Sequence, residues 1–446
     1  MARLQPLKTH RRNELLPIGV VAGLSLLALT MWGLRDRDAP PPLPPVGPVR
    51  APAPPPPPKL VVPPLTGKHL SQLQFAADGS ATLPIGSGTS AQVLSLTLDG
   101  AVQQAIQAQV DRTKVPYAAI VIIDIKTGAL RAVVESRQDT DPVAAIGSLT
   151  EPNMPAASVF KVVSTAAMLK AGKSPTERVC FHGGRHGIDV SNLRDHPADH
   201  QCETLTEALA HSTNSAFAKF AVRDLQAGDL TAMATAMGFS TGFASDFKVT
   251  PSLFAEGDSE LSRARAAPGF AGSTLSPLHA AWMVALIGND GVAMRPYLVT
   301  GSSAAPGIVR QPESLGQVLP ADLAQRLRTM MVATTESGTG RKSFSKRPRS
   351  LQGIAVAGKT GSLSGQDPAT YRHFSWFVGI APADHPEVAV AAVAINGLKW
   401  RVKGPVLARD ALGVWFARGK HKDAEAVAPA VPADQQGPVD SEDDGE

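Results

Sequence analysis

Apolar and polar residues along this chain fall into blocks of very different texture. An uncharged run over 15–34 comes first, about the length a helix needs to cross a bilayer. Arg3, Lys8, Arg11 and Arg12 precede it against the single acid Glu14, so residues 1–14 are expected in the cytoplasm and everything after Arg35 outside. The run is long and ends on no small-x-small cleavage site, which favours an uncleaved signal-anchor over a removed signal peptide. From Pro40 to Pro64 proline dominates, with Ala, Val and Leu between. Such a segment builds no core, and a linker over 35–66 is expected to run as an extended polyproline II stalk. At the other end, 419–446 is rich in Pro and Ala and closes on Asp440, Glu442, Asp443, Asp444 and Glu446, the composition of a disordered acidic tail. Between these ends lie a short lead-in at 67–95 and a single globular unit at 96–418.

Inside that unit the apolar period switches between strand and helix. Residues 96–108 read as a short strand and then a helix. Residues 117–125 and 129–135 are apolar and β-rich, and Lys126-Thr127-Gly128 joins them as a hairpin. From Pro155 the period becomes helical, with Ala, Val, Leu and Met continuing to Leu169 and Gly172 as the stop. Thr204-Leu205-Thr206-Glu207 is a capping box opening a short helix, 216–225 forms another, and Ser212-Thr213-Asn214 falls at the turn between them. A glycine-rich region over 238–272 leads through Leu275-Ser276-Pro277-Leu278 into a long apolar helix that ends near Gly288. Residues 321–334 are again helical. A small-residue strand at 354–357 runs into Gly358-Lys359-Thr360-Gly361-Ser362, strands follow at 374–380 and 388–395, and a helix over 406–418 closes the unit. Strands early and late with helices between imply an α/β domain whose sheet joins both ends of the sequence.

Composition changes this picture little. The formal net charge of +4 is modest, and no aromatic-interleaved basic patch points to nucleic acid. The two cysteines, Cys180 and Cys202, bracket a polar stretch with His182, His186, His196 and His200. Their spacing fits no common zinc-finger pattern, and an exported compartment oxidises lone cysteines, so a disulfide is expected there rather than a metal.

Candidate chemistry begins at Ser158. It opens a helix with Lys161 one turn on, on the same face, where an amine can take the hydroxyl proton that makes serine a nucleophile. The helix N-terminus adds backbone N–H groups suited to an oxyanion. A second S-x-x-K, Ser343-Phe344-Ser345-Lys346, lies in a basic, proline-interrupted stretch and reads as a solvated loop.

Taken in order, Ser158-x-x-Lys161, Ser212-x-Asn214 and Lys359-Thr360-Gly361 form a trio that resembles the penicillin-binding proteins, the serine acyltransferases sharing a fold with class A and D β-lactamases. Leu96-Thr97-Leu98-Asp99, Glu151-Pro152 and Ser375-Trp376-Phe377-Val378-Gly379 also look like that transpeptidase domain. The resemblance implies an antiparallel sheet flanked by helices, with an all-helical subdomain. It implies that Ser158 attacks a D-alanyl-D-alanine terminus, Lys161 is the base, Ser212 relays a proton and Asn214 binds Lys161 and the substrate amide. Lys359 would repel the Lys161 charge, whose pKa must fall to about 7 at a cost of about 4 kcal/mol. Thr360 would hold the terminal carboxylate, with Gly361 beside it and the N–H groups of Ser158 and Ser362 as oxyanion hole. No cofactor or metal is called for. The implied protein is a peptidoglycan D,D-transpeptidase in the bacterial cytoplasmic membrane with a periplasmic catalytic domain, blocked by β-lactams and working with other cell-wall synthesis proteins. A D,D-carboxypeptidase or β-lactamase-like hydrolase, or a non-catalytic wall-binding or antibiotic-sensing module, shares the pocket. Glu256, Asp258 and Glu260, where a hydrolase would carry its second base, lack the E-x-x-x-N pattern and read as surface acids.

Overall fold

The computed structural model describes residues 59–138, 141–184, 187–365 and 371–427, with side chains as far as Arg418. The expected cytoplasmic segment, the anchor, most of the stalk, His186 and the tail from 428 lie outside the described residues. Among the described residues no helix is long and apolar enough to cross a membrane.

Five strands build the central sheet: β1 (Tyr117–Asp124), β2 (Leu130–Arg137), β3 (Ala357–Ser364), β4 (His373–Ala381) and β5 (Val388–Asn396). They run antiparallel in the order β3-β4-β5-β1-β2, so the early hairpin and the late meander meet where Val388 to Ile395 lie opposite Asp124 to Tyr117. Period-two geometry explains why β1 is apolar from Tyr117 to Ile123 and β5 from Val388 to Ile395. Ala119, Val121 and Ile123 face one core, Ala118, Ile120 and Ile122 the other, and β5 alternates likewise. Each buried Val or Ile contributes about 1.5–3 kcal/mol by leaving water.

The helices that position the site are α1 (Gly100–Thr113), α2 (Lys161–Lys170), α3 (Leu205–His211), α4 (Asn214–Asp224), α5 (Pro277–Gly288), α6 (Ala321–Glu336), α7 (Arg341–Phe344) and α8 (Gly404–Val427). Val102, Ile106 and Val110 of α1 join Leu407, Ala411 and Leu412 of α8 in the core on one face of the sheet. On the other face lies α5, apolar all round because it is buried along its whole length between the sheet and the helical subdomain. The capping box at α3 is formed as expected: Thr204 Oγ1 accepts from Glu207 N at 3.1 Å, and Glu207 accepts from Thr204 N at 2.7 Å.

Several boundaries differ from the sequence reading. The early strand covers Gln92–Leu96 and its helix starts at Gly100, because Asp99 caps it by accepting from Val102 N. The lead-in is more structured than expected, contributing Gln74–Phe75, Ala81–Ile85 and Gln92–Leu96 to a small sheet completed by Val299–Ser302. The last residues assigned to the linker belong to the folded body, since Leu65 is buried and its N–H donates to the Asp246 carbonyl at 2.8 Å. Lys359-Thr360-Gly361 sits within β3 rather than after a strand. The closing helix starts at Gly404 and runs nine residues beyond the expected end at Arg418.

Candidate active site

Ser158 is reached through an unusual turn. Ala157 has φ 48°, a left-handed conformation that costs an alanine about 1–2 kcal/mol. Its carbonyl packs on Gly269, where a Cβ would collide with that oxygen, so the glycine makes room for the strained turn. Ala156 N–H donates to Ser273 O at 3.2 Å, and Trp376 Nε1 of β4 donates to Pro155 O at 3.0 Å, which holds the turn against the sheet. The chain then passes through a 3₁₀ turn, Ala157–Phe160, and becomes α2 at Lys161.

Lys161 is fully buried, and its Nζ lies 2.9 Å from Ser158 Oγ, 2.7 Å from Asn214 Oδ1 and 3.0 Å from the Pro268 carbonyl. Two of these partners can only accept. A neutral amine has two hydrogens and one lone pair, so donating to Asn214 and Pro268 leaves the lone pair facing the Ser158 hydroxyl. Burial, and then the nearby Lys359 charge, hold the Lys161 pKa well below the ordinary lysine value. Ser164 Oγ, one turn along α2, donates to Ala267 O at 2.6 Å and fixes the segment that presents the Pro268 carbonyl.

Ser212 and Asn214 straddle the corner between α3 and α4. Ser212 ends α3 with φ 62°, and Thr213, at the start of α4, makes no side-chain cap. The side chains of the pair are therefore turned to other use: Ser212 Oγ accepts from Lys359 Nζ at 2.9 Å, and Asn214 meets Lys161. Lys359 also donates to Thr360 O at 3.0 Å, and complete burial lowers its pKa to about 7.

β3 is an edge strand, so its outward backbone groups and the side chains of Thr360 and Ser362 border the cleft. Gly361 lets that edge approach the nucleophile, since a Cβ there would stand 3.0 Å from Val159 Cγ2 and 3.3 Å from Val159 N. The cleft, about 480 Å³, brings together Ser158, Ser212, Thr360 and Ser362.

Some participants were not visible in the sequence. Thr339 Oγ1 lies 2.6 Å from Thr360 Oγ1, and its N–H donates to Ala210 O at 3.0 Å, tying the Thr360 hydroxyl to the end of α3. Its one signal is Ser337-Gly338-Thr339-Gly340, a glycine-flanked threonine just after a long amphipathic helix. The Pro268 carbonyl, being backbone, has none. Two expectations are corrected. Ser343 and Lys346 do not lie in a free solvated loop: α7 packs through buried Phe344 and places both residues on the cleft wall. Glu256 is buried, not a surface acid, because it accepts from Gly228 N, Thr231 N and Thr231 Oγ1 at the start of the helix Asp229–Ala236. Asp258 is exposed, and Glu260 pairs with Arg194 at 2.8 Å.

Behind α4, Cys180 and Cys202 face each other across a two-stranded ribbon and are joined by a disulfide. Lys219 of α4 pairs with Asp199 in the loop so closed, and His182 reaches the same carboxylate at 2.6 Å. Burial would raise the Asp199 pKa, but these hydrogen bonds outweigh it and keep the carboxyl below the usual range. The His196 ring lies tilted beside that of His182 with centroids 4.8 Å apart, and no group of three potential metal ligands occurs among the described residues.

An antiparallel sheet, a helical subdomain and, at their junction, one serine bonded to a buried lysine beside a second serine bonded to another define the fold class of the penicillin-reactive serine acyltransferases. The penicillin binding protein transpeptidase domain matches residues 118–409, and the chain belongs to that family. It is 31% identical over 253 residues to the peptidoglycan D,D-transpeptidase PbpA of Mycolicibacterium smegmatis, covering 54% of this chain and 50% of that one. It is 26% identical over 331 residues to stage V sporulation protein D of Bacillus subtilis, covering 68% and 49%. The chain thus spans about half the length of the curated relatives it matches. Among solved structures, the D,D-transpeptidase domain of an Eggerthella lenta peptidoglycan glycosyltransferase aligns with TM-score 0.61 at 25% identity, covering 78% of this chain and 95% of that one. Penicillin-binding protein A of M. tuberculosis, solved as a ceftriaxone acyl-enzyme, aligns with TM-score 0.59 at 24% identity over 73% and 79%.

Proposed function

We propose that the protein is a peptidoglycan D,D-transpeptidase that acylates Ser158 with a D-Ala-D-Ala stem peptide and passes the acyl group to the amine of a second peptide. The arrangement around Lys161 is the observation that carries this reading: two obligate acceptors take its hydrogens, its charge is suppressed, and its lone pair meets a serine in an open cleft. Lys161 takes the Ser158 proton as Oγ attacks the penultimate D-Ala carbonyl. The N–H groups of Ser158 and Ser362 receive the oxyanion, with Gly361 allowing the close approach. Ser212, held by Lys359, relays a proton to the leaving D-Ala nitrogen and is restored by the one Lys161 took from Ser158, and Asn214 also binds the substrate amide. Thr360, steadied by Thr339, takes the terminal carboxylate beside Lys359. The acceptor amine then enters where D-Ala left and the same groups run in reverse. β-Lactams present the same carboxylate and a strained amide, and so acylate the same serine. The run at 15–34 anchors the domain on the outer face of the cytoplasmic membrane, and 35–66 spaces it from the bilayer, near other wall-synthesis proteins.

Fluorescent penicillin is expected to label the wild-type chain and to fail on Ser158→Ala, with the adduct mapped by peptide mass spectrometry. A label that survives the substitution would remove Ser158 as nucleophile.

A further inference from the structure

The second S-x-x-K copy plays no part in this chemistry, yet it stands in the cleft. Phe344 packs on Phe377 with ring centroids 4.9 Å apart, and Arg347 donates to Phe344 O and Ile354 O at 3.0 and 2.7 Å, so the turn around α7 is fixed. That turn sets Lys342 and Lys346 on the wall of the cavity that contains Ser158 and Thr360. Lys403 joins them from the start of α8, where Gly404 N–H donates to Ser375 Oγ at 3.0 Å.

The charges here are one-sided. Arg409, in the same cavity, is balanced by Asp410 at 2.6 Å and donates to Ser343 O. Lys342, Lys346 and Lys403 have no acidic partner within 4.0 Å among the described residues, and no described Asp or Glu lines the cavity. All three are exposed at its mouth. Like charges gathered in a concave site repel each other and focus their field on an incoming anion. A terminal carboxylate at Thr360 already has Lys359 beside it, so the three lysines are matched to another anion.

We propose that Lys342, Lys346 and Lys403 form an anion subsite for a carboxylate of the wall peptide other than the C-terminal one held at Thr360. This rests on the transpeptidase reading above. The carboxylate has two chemical sources: a side chain of the donor peptide, or the carbon that bears the acceptor amine.

The test follows the slowing of fluorescent-penicillin labelling of the full chain by added competitors. One arm uses a D-Ala-D-Ala peptide with a free side-chain carboxylate and its side-chain amide; the other uses an amine with an α-carboxylate and its amide. In the wild type the carboxylate form of one pair should compete at about tenfold lower concentration, as three exposed ion pairs of about twofold each would give. The arm that shows the preference identifies the source. The ratio within each pair should shrink to about twofold in the triple variant K342Q/K346Q/K403Q, and in the wild type at 0.5 M salt. Taking the ratio within one variant cancels any general change in labelling. Equal competition by acid and amide in both arms, or a preference that survives the triple variant, overturns the subsite. A wild type that penicillin does not label overturns the transpeptidase reading itself, and the subsite falls with it.

Discussion

At the residue scale the site turns on two buried lysines whose protons are coupled. On the proposed mechanism acylation needs Lys161 neutral and Lys359 charged. Lys161 is held well below its ordinary pKa by burial and then by Lys359, so its neutral form is lost only as pH falls through that lowered value. Lys359 loses its charge above about 7. The rate of penicillin acylation should therefore pass through a maximum, with the alkaline limb set by Lys359 and falling up to roughly tenfold per pH unit. Arginine stays charged throughout this range, so Lys359→Arg should lose the alkaline limb even if its peak rate is lower. Stopped-flow labelling from pH 5 to 10 reads this directly, and an unchanged alkaline limb in Lys359→Arg would assign it to another group. Stability has the matching sign. Lys359 binds its proton more tightly in the unfolded chain, so the folded state gains stability as pH rises from about 7 towards 10.5 and has lost that gain below, and the lowered pKa of Lys161 acts in the same direction. The three motifs that meet at the cleft were legible because their order and spacing survive in the sequence. Thr339 and the Pro268 carbonyl were not, since one is a lone threonine and the other is backbone, and only the fold brings them to Thr360 and Lys161.

At the element scale the question is how an edge strand is held against a helix start. β3 lies beside the Ser158 turn because Gly361 carries no side chain, while Trp376 on the neighbouring strand grips Pro155 O. An added methyl at Gly361 would meet Val159 Cγ2 at 3.0 Å and Trp376 Cβ at 3.2 Å, so strand and turn must part by a few tenths of an ångström. Gly361→Ala is expected to cost about 1–3 kcal/mol of stability by overpacking. Acylation should fall about tenfold, because misplacement by 1 Å costs roughly a hundredfold. Thermal melts with labelling rates check both, and a wild-type rate in a folded Gly361→Ala protein would refute the spacing role. The strands themselves were readable, since β1 and β5 are apolar on both faces. The placement of Lys359-Thr360-Gly361 inside β3 was not, because glycine, lysine and threonine carry no strand period. The role of α7 was also hidden. Basic residues and Pro348 mask one buried aromatic, Phe344, and its packing, together with the Arg347 and Arg409 hydrogen bonds to the turn, makes an apparent loop into a cleft wall.

At the scale of the whole molecule, the sequence indicated a sheet closed by its two ends but not where the acids downstream of Asn214 would go, and those acids decide between a transferase and a hydrolase. Hydrolysis of a penicilloyl-serine needs a base to activate water, a task that a glutamate performs in class A β-lactamases. Glu256 is withdrawn from it. The carboxylate is buried, accepts three hydrogen bonds at the start of Asp229–Ala236 and lies outside the Ser158 cavity, while Glu260 is spent on Arg194. No described carboxylate lines the cleft; on the proposed mechanism Lys161 serves both half-reactions, and an antibiotic adduct that blocks the acceptor side should leave slowly. The penicillin adduct is thus expected to persist for hours by intact-protein mass spectrometry, with no sustained nitrocefin turnover. Glu256→Gln should leave that persistence unchanged and lower stability by about 1–2 kcal/mol, since a charged cap becomes a neutral one. Rapid multiple turnover in the wild type that disappears in Glu256→Gln would reverse the assignment: the buried glutamate would then have to reach the acyl-serine, and the protein would be a hydrolase.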